Sequence, residues 1–180
     1  NVEQRSQAKM VSYGLAYGME AYGLGQRLGI ETGEAAEILK AYFAAFPAVK
    51  SFMDEIVEKT KETGYTETIF GRRRPIPDLA SPNFRVRQAA ERQAMNAPIQ
   101  GLAADIFKIA LVEIDRSLTE MRAHSRLVLQ VHDEVILEVH PDESDAIESM
   151  TIENMKNAAN LRVPLEVNVA AGPSWAEAKA

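Results

Sequence analysis

Arg126-Leu127-Val128-Leu129-Gln130-Val131-His132-Asp133-Glu134-Val135-Ile136-Leu137-Glu138-Val139 is the stretch whose reading decides the fold of this chain. Its two halves, Leu127 to Val131 and Val135 to Val139, are short runs rich in branched aliphatics, the composition that strands favour. Only a tight turn fits between them. Hairpin tips this short ordinarily carry glycine or asparagine, whereas here His132, Asp133 and Glu134 bring an imidazole and two acids, groups suited to a hard cation. Aspartate is also a common turn former, so a plain turn stays open on these residues alone.

The chain has 180 residues, enough for one domain or two small ones, and a chain of this size buries about 70% of its unfolded surface. It contains no cysteine, which excludes a disulfide framework and any thiolate zinc site, and its three histidines lack zinc-ligand spacing. No apolar run approaches the roughly 20 residues of a membrane span, and no signal-peptide core precedes the first helical pattern. A soluble chain is expected, in a reducing compartment and without a membrane partner. Because Asn1 to Met10 enters a helical pattern with no initiating methionine, the sequence is expected to be a piece of a larger protein.

The net charge of −6 argues against a polyanionic partner until its distribution is considered. Between Gly71 and Arg92 stand Arg72, Arg73, Arg74, Arg85, Arg87 and Arg92 against Asp78 and Glu91, whereas Glu138 to Glu153 is acidic. A basic face on an acidic body is expected, although an arginine-rich loop can also be a solvated surface.

Hydrophobic spacing predicts helices first and a small sheet later. The expected helices run from Arg5 to about Met19, with a break near Gly23 and Gly25, then from a Thr32 cap with Ala36, Leu39, Phe43 and Phe46 on the buried face. Pro47 ends that one. A third runs from Ala48 to about Thr63, with Phe52, Ile56 and Lys59 at helical spacing and Gly64 as its stop. Tyr65 to Phe70 alternates like a strand and turns at Gly71 to Pro75, giving a small exposed hairpin. Ser81 or Asn83 opens a helix to about Ala97, Pro98 interrupts, and another follows from Gln100 to about Met121 with Ile106, Ile109, Ala110, Val112 and Leu118. After the central hairpin come a helix from Asp142 to about Ala159 and a strand from Leu165 to Val169. Two lobes are expected, divided near Ser81 to Arg85.

Two further rows stand out. Arg5, Lys9, Tyr13 and Tyr17 recur every four residues, so they form a slowly winding stripe with about 40° between neighbours. Two cations followed by two rings suit a nucleoside triphosphate, phosphates at the cationic end and base or sugar against a ring. Gly14 and Gly18 beside them would leave room for close approach. Long cations snorkelling over neighbours are the alternative. Arg92, Asn96 and Gln100 repeat the spacing across Pro98 and are all hydrogen-bond donors, which suits the base acceptors that occupy nearly equivalent minor-groove positions in every correct pair. An exposed polar helix face would look similar.

Arg5-Ser6-Gln7-Ala8-Lys9 with Tyr13-Gly14 and Tyr17-Gly18 closely resembles motif B of family A DNA polymerases, the bacterial DNA polymerase I type. Gly71-Arg72-Arg73-Arg74, Asn96-Ala97-Pro98-Ile99-Gln100-Gly101 and Gln130-Val131-His132-Asp133-Glu134 match further blocks of that family in the correct order, so the resemblance covers essentially the whole chain. It implies an α+β fold, a helical fingers lobe over 1–82 followed by a palm lobe over 83–180 with a small antiparallel sheet and packed helices, together an incomplete right-hand polymerase domain. It also implies that Arg5 and Lys9 hold the incoming triphosphate, that Tyr13 packs on its sugar and base, and that Tyr17 guards the template-base position. Asp133 would bind catalytic Mg2+ with Glu134 assisting, Lys9 counting with them as catalytic, while His132, Arg92, Asn96 and Gln100 would contact primer-template.

The implied reaction is DNA synthesis from dNTPs by two Mg2+ ions, in replication and repair, by a cytoplasmic enzyme of the bacterial nucleoid that acts as a monomer. Two ions need at least two carboxylates. Adjacent residues on a strand point to opposite faces, so Glu134 is a poor second, and the family's other aspartate belongs to a motif upstream of this chain. The chain alone is therefore expected not to polymerise. Tyr13, where many relatives carry phenylalanine, implies weak discrimination against dideoxynucleotides. Two other classes remain open: a non-catalytic nucleic-acid-binding module would need no acids at the hairpin, and a two-metal nuclease would need no triphosphate row.

Overall fold

The computed structural model describes residues 2–178, with the backbone alone for residues 2–4, 7 and 16; Asn1, on which the expectation about the start of the chain partly rests, lies outside them. Among the described residues six α-helices and four strands follow one another as α1 (Val2–Ala16), α2 (Ala21–Leu28), α3 (Thr32–Ala45), α4 (Pro47–Thr63), β1 (Tyr65–Glu67), β2 (Arg73–Pro75), α5 (Phe84–Glu120), β3 (Arg126–Val131), β4 (Glu134–Glu138) and α6 (Ser144–Lys156). The α+β expectation holds. Packing divides the chain into two compact units, Asn1–Leu102 and Ala103–Ala180, with the division inside α5. No described helix is long and apolar enough to cross a membrane.

In the first unit, Gly23 and Gly25 do not break a helix; they lie inside α2. A Cβ at Gly25 would stand 2.9 Å from the Ile30 carbonyl oxygen, so glycine lets the following turn approach closely, a gain set against its helix penalty of about 1 kcal/mol. Thr32 is the first residue of α3 and not its cap; Glu31 precedes it without a side-chain capping bond. On the expected buried face of α3, Leu39 and Phe43 are half-buried, whereas Ala36 is exposed and Phe46 53% exposed, and Ala35 is the residue fully buried.

Pro47 opens α4 at a position where no intrahelical N–H is needed. The buried stripe of α4 is Met53, Val57 and Thr60; of Phe52, Ile56 and Lys59, which stand at helical spacing one residue before it, only Ile56 is half-buried. Gly64 stops α4 in the left-handed region at φ 80°, its N–H donating to the Thr60 carbonyl. The following hairpin is shorter than expected, because β1 ends at Glu67 and Arg73 to Pro75 form the returning strand and not the turn. Val57, Ile76, Leu79, Ala90 and Ala94 make the core of this unit, flanked by Ile56 and Met95.

The Asn83 side chain accepts the Arg85 N–H at 3.0 Å and so caps α5. Pro98 does not interrupt α5, which continues through it. Proline removes one helical donor and crowds the carbonyl four residues back, at a cost of about 3 kcal/mol. Here Ala94, Ala97 and Pro98 itself are buried, and packing at the proline and on the turn before it is set against that cost.

The second unit is built on the central hairpin. β3 and β4 pair antiparallel from Val131↔Glu134 to Arg126↔Glu138, with a bulge at Val128 between Leu127↔Leu137 and Leu129↔Ile136. The bulge interrupts the expected alternation: Leu127 faces inward, whereas Val128 and Leu129 are 48% and 46% exposed. Ile114, Leu118 and Ile147 form the core, with Leu127, Val135, Leu137, Met150 and Met155 packed on it. A short 3-10 turn at Pro141–Glu143 precedes α6, which is shorter than expected. Leu165 to Val169 is not a strand. Val167 and Val169 line a cavity of about 970 Å3 whose other walls include Val135 to Glu138 of β4 and the adjoining Val139, and across that gap no ladder hydrogen bonds form.

Candidate nucleotide and nucleic-acid site

Three of the four residues in the first row lie on α1. Arg5, Lys9 and Tyr13 are exposed, and Tyr17 follows one residue beyond the helix, its N–H still bonded to the Tyr13 carbonyl at 3.1 Å. Lys9 Nζ stands 5.5 Å from the Tyr13 ring centroid, within the range of cation–π attraction. Tyr13 and Tyr17 are 57% and 51% exposed, so both rings present open faces. A core stripe would bury them; this one does not.

The glycines beside the row serve a different purpose from the one expected. Gly14 is buried, and a Cβ there would meet Met19 Sδ at 3.0 Å. Gly18 has φ +65°, and a Cβ on it would stand 2.8 Å from Arg92 Cγ and 3.2 Å from Met95 Sδ. The close approach they permit is to the chain's own Met19, Arg92 and Met95, which fix the end of α1 against α5.

The second row lies on α5 and is graded in burial. Arg92 is half-buried over Gly18, Asn96 is 8% exposed, and Gln100 is exposed. Gln100 Nε2 donates to the Tyr17 hydroxyl oxygen at 3.1 Å, and Gln88 Nε2 donates to Glu20 Oε1 at 2.7 Å. The structure thus joins the two rows at two points, Gly18 with Arg92 and Tyr17 with Gln100. Spacing along the sequence signals neither pairing.

In the second unit His132 and Asp133 form the two-residue loop between β3 and β4, both exposed, and Glu134 is the first residue of β4. His132 adopts φ 54°, a positive value of the kind that the first position of a two-residue hairpin loop takes, and Gln130 Nε2 donates to its carbonyl at 2.7 Å. Among the described residues no ion pair engages the Asp133 or Glu134 carboxylate, and no group of three or more His, Asp or Glu side chains could hold a metal ion. Asp133 suits a single oxygen ligand to Mg2+, a cation that keeps several waters and takes one or two carboxylates together with substrate phosphates. It does not make a closed site.

A carboxylate that sequence reading passed over anchors the base of this hairpin. Glu143 accepts the His124 and Ser125 N–H groups, both at 2.9 Å, and the Ser125 hydroxyl at 2.6 Å. The Ser125 Oγ in turn accepts the His140 N–H at 2.9 Å. The Ser125 hydroxyl, followed by the two backbone N–H groups, holds the Glu143 pKa down at about 2.

Residues 1–177 match the family model described as DNA polymerase family A. The DNA polymerase I of Mycobacterium bovis is 50% identical over 173 residues, 96% of this chain and 19% of that protein. That of Geobacillus stearothermophilus is 50% identical over 175 residues, 97% of this chain and 20% of that protein. The chain therefore spans about one fifth of the length of these relatives. A solved structure, the POL domain of Pol1 from M. smegmatis in complex with DNA primer-template and dNTP, superposes with a TM-score of 0.95 at 47% identity, covering 99% of this chain and 31% of that one.

Proposed function

The chain belongs to DNA polymerase family A, and from that premise we propose that it supplies the fingers, over 1–82, and much of the palm, over 83–180, of an enzyme that extends a primer by template-directed addition of dNTPs. The observation that carries this reading is the α1 row, in which exposed Arg5 and Lys9 are followed by the open rings of Tyr13 and Tyr17.

In the proposed reaction the primer 3′-hydroxyl gives its proton to solvent water, and its oxygen bonds to the α-phosphorus as the bond to pyrophosphate breaks. Arg5 and Lys9 bind the phosphate oxygens and offset charge that grows on the leaving group. Tyr13 packs on the sugar and base, and Tyr17 stands at the template-base position. Arg92, Asn96, Gln100 and His132 contact primer-template, and Asp133 at the hairpin tip would hold Mg2+, with Glu134 assisting. The two ions, when bound, supply Lewis acidity at the attacking and leaving oxygens. Asp133 by itself meets only part of that requirement, so this 180-residue chain alone does not polymerise; the rest of the polymerase polypeptide completes the site. Work on DNA in replication and repair, as a monomer in the bacterial nucleoid, completes the proposal.

Nucleotide binding tests it. In the full-length protein, Lys9→Ala and Arg5→Ala should each weaken dNTP binding to the complex with primer-template about tenfold or more, as loss of a charge-assisted hydrogen bond does. A two-metal nuclease would bind dNTPs no worse after either change, and that outcome would defeat the polymerase reading.

A further inference from the structure

The loop joining β1 to β2, residues Thr68 to Arg72, is tightly organised and yet presents its apolar side chains to solvent. Thr68 Oγ1 accepts the N–H groups of Phe70 and Arg72 at 3.3 and 3.2 Å, and the Thr68 backbone closes the loop with Gly71 and Arg72, both at 2.9 Å. Gly71 takes φ +84°, which favours glycine. The Thr68 methyl packs so closely on α5 that a Cβ at Gly101 would stand 2.7 Å from it. Within this rigid frame Ile69 is 73% exposed and Phe70 47% exposed.

A turn needs neither residue, since polar turn formers would close it without leaving apolar surface in water. Three exposed arginines flank the tip. Arg73 pairs with Glu67 and lies over the Tyr65 ring at 4.6 Å; Arg72 and Arg74 are also exposed. The hairpin thus carries three guanidiniums against one carboxylate, Glu67, around an apolar apex, a surface complementary to a polyanion that has flat apolar faces. Nucleic acid has both. In a duplex the base faces are stacked on one another, so an apex ring reaches them where the strand is unpaired. Gly101, on which the loop rests, adjoins Gln100 of the row proposed to face DNA.

We infer that Phe70 and Ile69 form a stacking platform for unpaired template bases, with the flanking arginines holding the phosphates of that single strand. The inference rests on the polymerase reading and adds a contact to it. The test compares a fluorescent primer-template that has a long 5′ template overhang with the same duplex carrying a one-nucleotide overhang, both titrated with full-length protein. Phe70→Ala should weaken binding of the long-overhang DNA about fivefold or more and leave the short-overhang affinity unchanged. Phe70→Trp should restore the difference, which a merely structural residue would not do. Equal weakening on both DNAs, no weakening on either, or Phe70-dependent binding to phosphatidylserine vesicles without an effect on DNA would each overturn the platform. Failure of the unaltered protein to bind primer-template at all would instead defeat the polymerase reading, and the platform with it.

Discussion

Gln100 donates its side-chain N–H to the phenolic oxygen of Tyr17 at 3.1 Å, across eighty-three positions of sequence. Each group therefore satisfies the other in this arrangement, and a template base or primer-template groove that used either one would have to replace the bond. Because one such bond is worth about 1 kcal/mol net, Tyr17→Phe should release Gln100 and tighten primer-template binding up to about fivefold, whereas Gln100→Ala should weaken it. Anisotropy titration of the full-length protein checks both, and tighter binding by Gln100→Ala would contradict the exchange.

Gly18 is constrained twice, by φ +65° and by Arg92 Cγ at 2.8 Å from the place of a Cβ. Gly18→Ala should destabilise the protein by about 2 kcal/mol in denaturant unfolding, of which the backbone share is roughly 1 to 2 kcal/mol. Adding Arg92→Ala should recover part of the loss as a coupling of about 0.5 kcal/mol or more. Strict additivity would mean that the packing of Arg92 on Gly18 has no energetic weight.

Glu143 has a folded pKa of about 2 against an ordinary 4.5. A depressed carboxyl favours the folded state at and above the ordinary value, and that contribution declines as pH falls from 4.5 towards 2. Carbon-detected NMR should find Glu143 still ionised at pH 3, and Glu143→Gln should flatten the acid dependence of stability within that window. An ordinary titration midpoint for Glu143 would show that the Ser125 and His124 bonds do not persist in solution.

Tyr13 carries a hydroxyl on a ring that is 57% exposed. If that hydroxyl takes the place of a missing sugar 3′-hydroxyl, Tyr13→Phe should raise the preference for dNTP over dideoxynucleotide about tenfold in single-turnover addition, the equivalent of about 1.4 kcal/mol. An unchanged preference would remove Tyr13 from the sugar pocket.

Several of these relationships could be read from the chain and several could not. The β3 and β4 runs, the Gly64 stop and the helical row of Arg5, Lys9 and Tyr13 depend on local spacing and backbone preference, which sequence carries directly. Pro98 and Gly25 went the other way, because their local penalties of about 1 to 3 kcal/mol are set against packing that a helix propensity does not contain: Pro98 is buried, and Gly25 lets the turn at Ile30 approach. Leu165 to Val169 has the alternation of a strand but no adjacent ladder, and pairing is not a property of one segment. The contacts of Gly18 with Arg92, Thr68 with Gly101 and Glu143 with Ser125 join separate elements and leave no periodic trace.

The central claim places Asp133 among the metal ligands of a polymerase. Its most direct test is magnesium-dependent primer extension by the full-length protein, native against Asp133→Asn, a change that keeps the shape of the two-residue loop while removing its charge. Loss of about a thousandfold or more in extension rate, equivalent to about 4 kcal/mol of transition-state stabilisation, with primer-template affinity retained, is the expected result. Undiminished extension would mean that His132-Asp133-Glu134 is a turn and no more.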